Sequence, residues 1–333
     1  MLHLAVVAPR DRSAAVVDAL RDEPGVTNLI AAEGTALKPP GDRIEADVAR
    51  EAADVVLETL HGLCLEHGGT VTISEVDAAF GDPVEAAERD APGEGVDAVV
   101  WREITQRTAA DATLSGAFLV FLMAATLISS VGLLTDSSVL VVGGMVLGPE
   151  FGPLAAVAVA LVQRRWRAAG RSLIALAVGF PLAVVVTAGA VILLRYTVGL
   201  PAGYVAGHRP LTSFVAHPDV FSVVTALVAG AAGMVSLTAS KSGALVGVFI
   251  SVTTIPAAAN IGTALVADHP EEAAGAATQL AVNVLCILVA ATLTLLVQRW
   301  VLRRRSARRP SDRWTATDRI SGQRRRAVRR APR

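Results

Sequence analysis

Two kinds of hydrophobic patterning divide the chain. Up to about residue 113 the apolar residues come in short runs broken by charges. From Leu114 to Leu302 they form long, nearly uncharged stretches. In the first part, Leu2–Ala8 predicts a strand that Pro9 stops. Ser13 can cap a helix with apolar positions Val16, Val17 and Leu20, ended by Pro24-Gly25. Val26–Ala31 predicts a second strand, and Gly34–Asp42, with two prolines and two glycines, predicts a rigid polar turn. Arg43–Val48 alternates at Ile44, Ala46 and Val48 and predicts a half-buried strand. Arg50–His67 predicts a helix with Ala53, Val56, Leu57, Leu60, Leu63 and Cys64 inward; Gly68-Gly69 ends it and Thr70–Ser74 is a last strand. The order βαββαβ predicts an α+β ferredoxin-like domain over residues 1–75. Residues 76–113 are expected to be a helical linker, interrupted at Pro92–Gly95, with Trp101 either in a core or at a lipid interface.

The second part holds six apolar segments, at 114–134, 138–162, 172–195, 219–238, 243–267 and 274–301. Each reaches the roughly 20 residues that a helix needs to cross a bilayer. The fold class expected is therefore a six-helix all-α membrane domain over residues 114–302 behind the α+β domain. Arg164, Arg165, Arg167, Arg171 and Lys241 fall in the even-numbered connections, against Arg195 and Arg209 in the odd-numbered ones. The positive-inside rule then puts both termini in the cytoplasm of a cell-membrane protein.

The six segments divide into two groups of three, and an odd number of crossings makes two related groups run in opposite directions. Ser138 and Gly143 match Ser242 and Gly247 at one constant offset; a slip of one residue then brings Pro153 onto Pro256. Asp136 and Lys241 stand near equivalent helix starts, where capping or snorkelling is the ordinary role. Both middle segments are interrupted, the first at Gly148-Pro149-Glu150-Phe151-Gly152-Pro153, the second at Thr253-Thr254-Ile255-Pro256 through Asn260. Roughly 18 Å of helix separates Glu150 from the start of its segment, which puts it at mid-bilayer depth. A carboxylate there is costly and must be protonated, paired or facing water. Matched interruptions in two halves point to a transporter-type site. Its candidate residues are Pro149, Glu150, Pro153, Thr253, Thr254, Pro256, Asn260 and Asn283. The alternatives are that Glu150 caps a half-helix at a re-entrant tip, and that Thr253, Thr254, Asn260, Gln279 and Asn283 serve only interhelical hydrogen bonds. Gly144, Gly148 and Gly152, four residues apart, suit close helix packing.

The run Gly143–Ala155, together with Leu237–Val248 and Ser251–Asn260, resembles the core motif of domain-of-unknown-function family 389, and the resemblance reaches back through Gly34–Asp42. It implies a hydrophobic prokaryotic membrane protein and no particular chemistry.

Charge sharpens the division. Residues 1–113 carry 22 Asp/Glu against 9 Lys/Arg, whereas residues 299–333 carry 14 Arg against Asp312 and Asp318. The Arg-rich stretch 303–333 is expected to be a disordered cytoplasmic tail attracted by anionic lipid headgroups. With no aromatic interleaving beyond Trp314, nucleic-acid binding is not expected. Cys64 and Cys286 are too few for a disulfide framework, which suits a cytoplasmic first domain. Leu2–Ala8 is too short and lacks the basic lead of a signal peptide, so the first membrane helix is expected to target the chain. The membrane part shows no Ser/His/Asp set, phosphate loop or catalytic Cys/His pair; no enzyme activity, cofactor or metal is expected. The expected partners are the lipid bilayer and further copies of the chain in a homo-oligomer. The function expected is a transporter or channel for a small solute or ion, regulated by its first domain; the alternative is a membrane-anchored sensor or scaffold that moves nothing.

Overall fold

A computed structural model describes residues 1–63, 68–91, 101, 104–106, 108, 113–207, 209–216, 219–238 and 254–307. The first domain begins with β1 (Leu2–Ala8), α1 (Arg10–Arg21), β2 (Val26–Leu37) and β3 (Pro40–Val48). It continues with α2 (Ala53–Gly62), β4 (Thr70–Glu75) and α3 (Asp82–Asp90). The four strands form one sheet in the order β2-β3-β1-β4, with every neighbouring pair antiparallel. Strand alternation sends Leu2, Leu4, Val6 and Ala8 to one face with Ile44 and Val48, where Val16 and Leu20 of α1 and Val56, Leu57 and Leu60 of α2 cover them.

The stretch Gly34–Asp42 is not a polar turn. β2 and β3 pair through it to Ala36↔Gly41 and Leu37↔Pro40, so the strands meet in a tight hairpin. The register shifts between Ala32 and Ala36, where Gly34 takes a φ of 65° that favours glycine. Its N–H donates to Asp42 Oδ1 at 2.7 Å. Gly34 absorbs the irregularity, and the ladder resumes beyond it. The expected linker is also partly domain: α3 buries Val84 and Ala87, and a Cβ on Gly25 would lie 3.3 Å from that of Ala91.

The second part comprises α4 (Gly116–Leu134), α5 (Ser138–Leu147), α6 (Phe151–Val162) and α7 (Trp166–Thr197). After a connection come α8 (Val220–Thr238), α9 (Ile255–Val266) and α10 (Pro270–Ala307). Ser115 caps α4, its Oγ accepting from the Phe118 N–H at 3.1 Å, and the Asp219 carboxylate does the same ahead of α8 for Ser222 N at 2.7 Å. α4, α7, α8 and α10 are each long and apolar enough to cross a membrane. α5 and α6, bent by 51° at their break, make a fifth span if the pair is one. α9, at 12 residues, is too short alone, and residues 239–253, including Lys241, Ser242, Gly247 and Thr253, lie outside the described ones. Val185, Phe221 and Leu285 point outward, which on helices this apolar means toward lipid. The architecture is that of a multi-pass membrane protein with four to five described spans.

The helix bounds recur. α4 and α8 are both 19 residues long, and α6 and α9 are both 12. Gly116 and Val220, Phe151 and Ile255, and Trp166 and Pro270 are each 104 residues apart, the separation of Glu150 from Thr254. Arg164 and Asp268, two residues past the 12-residue helices, share a left-handed backbone with φ of 58° and 62°.

Candidate functional site

Small residues bring the helices together. A Cβ on Gly144 of α5 would lie 2.6 Å from the Ala125 carbonyl oxygen of α4, and one on Gly262 of α9 would lie 2.7 Å from that of Val184 on α7. α9 is buried along nearly all of its length, from Ile255 to Ala264. It packs on α4 and α7, so a polar residue on it faces protein rather than lipid.

The break between α5 and α6 meets the start of α9. Gly148 ends α5, and a Cβ there would overlap the Glu150 carboxylate and lie 2.7 Å from Ile255 Cγ1. Pro149 follows, lacking an N–H that this gap could not satisfy, and Pro153 lies in the first turn of α6, where amides have no helical partner. Glu150 precedes α6, yet its side chain makes no capping bond to that helix. It is fully buried, at 0% exposure. Its Oε1 accepts instead from the Thr254 hydroxyl at 2.6 Å. Thr254 is also fully buried and stands just before α9, whose first turn carries Pro256; its hydroxyl likewise does not cap its own helix. Each interrupted helix thus turns its leading side chain toward the other.

The remaining candidates are placed elsewhere along the bundle. Asn260 lies six residues beyond Thr254, roughly 9 Å along α9. Its Oδ1 accepts a long bond of 3.4 Å from the Tyr204 hydroxyl, and its Nδ2 has no partner among the described residues. Asn283 is buried on α10 and accepts from Gln279 Nε2 at 3.4 Å, one turn away. Ser130 of α4 and Thr263 of α9 share a buried hydrogen bond of 2.8 Å. A cleft of about 360 Å³ adjoins the break, walled by Ser115, Phe118 and Phe121 on one side and Gly148, Pro149, Phe151 and Gly152 on the other.

One cluster has no counterpart among the expected residues. Tyr204, in the connection from α7 to α8, is buried, with the Arg209 guanidinium 4.2 Å over its ring and His269 edge-on at 6.3 Å. Arg209 is ion-paired with Glu272. Burial pushes the Tyr204 phenol up to about 12, against the pull of the Arg209 cation. Asp136 anchors the same connection, accepting from the Thr212 hydroxyl at 2.9 Å and from Leu211 N. Arg195 pairs with Asp268 at 3.0 Å. The only signal in the sequence is that the two cations of one connection, Arg195 and Arg209, have carboxylates to meet at Asp268 and Glu272.

Among the described residues no group of three His, Cys, Asp or Glu side chains stands where a metal ion could be held. Fold and site together define a multi-pass helical membrane protein with a buried carboxylate at a helix break. Residues 145–289 match the family described as Domain of unknown function (DUF389), the one that the Gly143–Ala155, Leu237–Val248 and Ser251–Asn260 motifs resemble. No curated protein and no solved structure matches the chain.

Proposed function

We propose that this protein is a six-span inverted-repeat transporter or channel for a small solute or ion, centred on the Glu150–Thr254 junction. The observation that carries the reading is that hydrogen bond. It joins two residues at equivalent places in two sets of helices whose starts recur 104 residues apart. Two equivalent residues touch each other where a two-fold axis passes between them. With three spans per set, that axis lies in the membrane plane, the arrangement in which transporters place their site at interrupted helices. In this reading α9 belongs to the apolar segment 243–267, whose residues before Thr254 lie outside the described ones, and the site residues are Pro149, Glu150, Pro153, Thr253, Thr254, Pro256, Asn260 and Asn283.

The first domain, which we read as ferredoxin-like from its element order and strand order, has a route to this centre. The Trp101 N–H donates to Asp54 of α2 at 3.0 Å, and the Thr105 hydroxyl accepts from Gln163, at the end of α6, at 2.7 Å. A regulator needs such a bridge; so does a sensor that passes no solute, which is the competing reading. The arginines of the α6–α7 corner favour a cytoplasmic position for it and for both termini. A cysteine introduced at Ala168 should then escape labelling from outside intact cells, while one at Val205 reacts.

Reconstitution into vesicles decides between transporter and sensor. Against a panel of ions and small acids, the protein should give a flux that Glu150→Gln reduces about tenfold or more while assembly is kept. Flux unchanged in that variant would remove Glu150 from the mechanism. No flux with any solute would favour the sensor.

A further inference from the structure

We infer that the corner between α6 and α7 forms, with Thr105, Thr108, Thr113 and Leu114 ahead of α4, a binding cavity for a phosphate-bearing anion with an apolar body. The cavity holds about 410 Å³, within the range of small-molecule sites, about 300–1,000 Å³. Arg165 and Arg171 line it together with Gln163 and the buried Ser172, and its floor and outer wall are apolar, at Ala160 and Ile174. Neither guanidinium is paired with a carboxylate among the described residues, in contrast to Arg195 and Arg209. Arg165 also stands at the amino end of α7, a helix of 32 residues in which the Ala168 amide is the first to find a backbone acceptor, the Arg165 carbonyl. A phosphate satisfies both features, since guanidinium groups bind it through paired hydrogen bonds. Ile174 is 58% exposed on a membrane helix, so an apolar body can continue from the cavity along α7 into lipid.

The other set of helices shows what this wall does when the chain itself covers it. At the separation of 104 residues, Asn260, Glu272 and Gly275 stand where this set has Ala156, Ala168 and Arg171. There Tyr204 reaches Asn260, Arg209 pairs with Glu272, and Gly275 admits the Ala216 carbonyl so closely that a Cβ would overlap it. That wall bears a carboxylate and is closed by a cation of the chain. This wall bears two cations, and among the described residues nothing of the chain fills its space, so the complementary occupant is an anion. The comparison rests on the repeat reading above; the cavity and its arginines do not, and binding is measurable in a protein that transports nothing.

An anionic lipid headgroup and a soluble phosphate ester share this chemistry, and two probes distinguish them. Full-length protein would be placed in nanodiscs of phosphatidylcholine with increasing phosphatidylglycerol, and separately titrated with inorganic phosphate, with thermal stability and lipids retained in native mass spectrometry as readouts. Stabilisation by phosphatidylglycerol assigns the site to lipid, and stabilisation by phosphate in pure phosphatidylcholine assigns it to a soluble ester. In either case Arg165→Gln and Arg171→Gln should each weaken the effect about tenfold, as for loss of a charge-assisted contact. Arg167→Gln, from the same corner but outside the cavity, should change it no more than about twofold, because only diffuse surface attraction is lost. Equal loss in all three variants would reduce the effect to diffuse attraction and overturn the site. So would the absence of stabilisation by both probes.

Discussion

Thr254→Val is the sharpest perturbation of the proposed centre, because it keeps the shape of the side chain and removes only the hydroxyl that reaches Glu150. The bond is 2.6 Å long and both residues are fully buried, so no water replaces the lost donor. A hydrogen bond to an ionised group contributes about 1.5–3 kcal/mol, and one between neutral groups about 0.5–1.5 kcal/mol. Glu150→Gln leaves an oxygen that can still accept from Thr254 but removes the charge. If Glu150 is ionised in the resting protein, Thr254→Val should cost about 1.5–3 kcal/mol in the natural background and about 0.5–1.5 kcal/mol in the Glu150→Gln background, the difference being the coupling of a double-mutant cycle. If Glu150 is protonated at rest, the two costs converge on the smaller range. Thr254→Ser keeps the donor and should keep most of the stability. Unfolding of the full chain in mixed micelles, titrated with a denaturing detergent, measures each of these costs, and flux in vesicles accompanies them. A cost of Thr254→Val below about 0.5 kcal/mol in both backgrounds would refute the argument that this bond holds the two breaks together.

Two further perturbations test other parts of the reasoning. Gly275→Ala puts a methyl group onto the Ala216 backbone and should destabilise the membrane domain by about 1–3 kcal/mol, whereas Gly189→Ala, with nothing within 4 Å of the added Cβ, should be neutral or slightly stabilising. Equal melting temperatures for the two would contradict the packing of the connection on α10. In the first domain, the Gly34 N–H, the Ser13 hydroxyl and the Arg10 cation hold the Asp42 carboxyl below its ordinary value of 3.8. A depressed carboxyl contributes stability that is present above its unfolded value and is lost as pH falls through the folded one. Asp42→Asn should therefore lower the melting temperature at neutral pH, and the gap should close on acidification below about pH 4; a gap independent of pH would contradict the assignment.

The parts of the fold that could be read in the sequence are those where one residue type answers to one environment. Alternation at Leu2, Leu4 and Val6 and at Ile44, Ala46 and Val48 marks strands with one wet face, and all of these residues are buried in the structure. Long apolar runs mark helices in lipid for the same reason. The Gly34–Asp42 stretch misleads because a bulge uses the same residues as a loop. Glycine is needed for the positive φ at Gly34, and a close approach to the Ala8 carbonyl leaves no room for a Cβ at Gly41. Composition alone does not distinguish a break in the ladder from its end. The Tyr204 cluster is harder still, since Tyr204 and Arg209 of one connection meet Asn260 of α9, His269, and Glu272 of α10 across more than fifty residues of chain.

The two interrupted segments show the limit of residue matching most clearly. Matching by residue type requires a slip of one position to bring Pro153 onto Pro256. The helix bounds require none: α6 and α9 begin 104 residues apart, which leaves proline third in one helix and second in the other. Either place lies in the first turn, where a residue without an N–H removes no helical bond. Proline at any such position interrupts the backbone equally well, so the type of residue can drift by a position while the break cannot. What the two segments share is therefore the location of a helix start, with a buried polar side chain just before it. Those side chains are Glu150 and Thr254, a pair that no comparison of residue types would align, because one is an acceptor and the other its donor. In the proposed two-fold arrangement the two positions meet in one hydrogen bond; two ionised carboxylates there would repel, and two threonines would leave the centre uncharged. A carboxylate opposite a hydroxyl thus keeps one charge at the contact and gives it a donor.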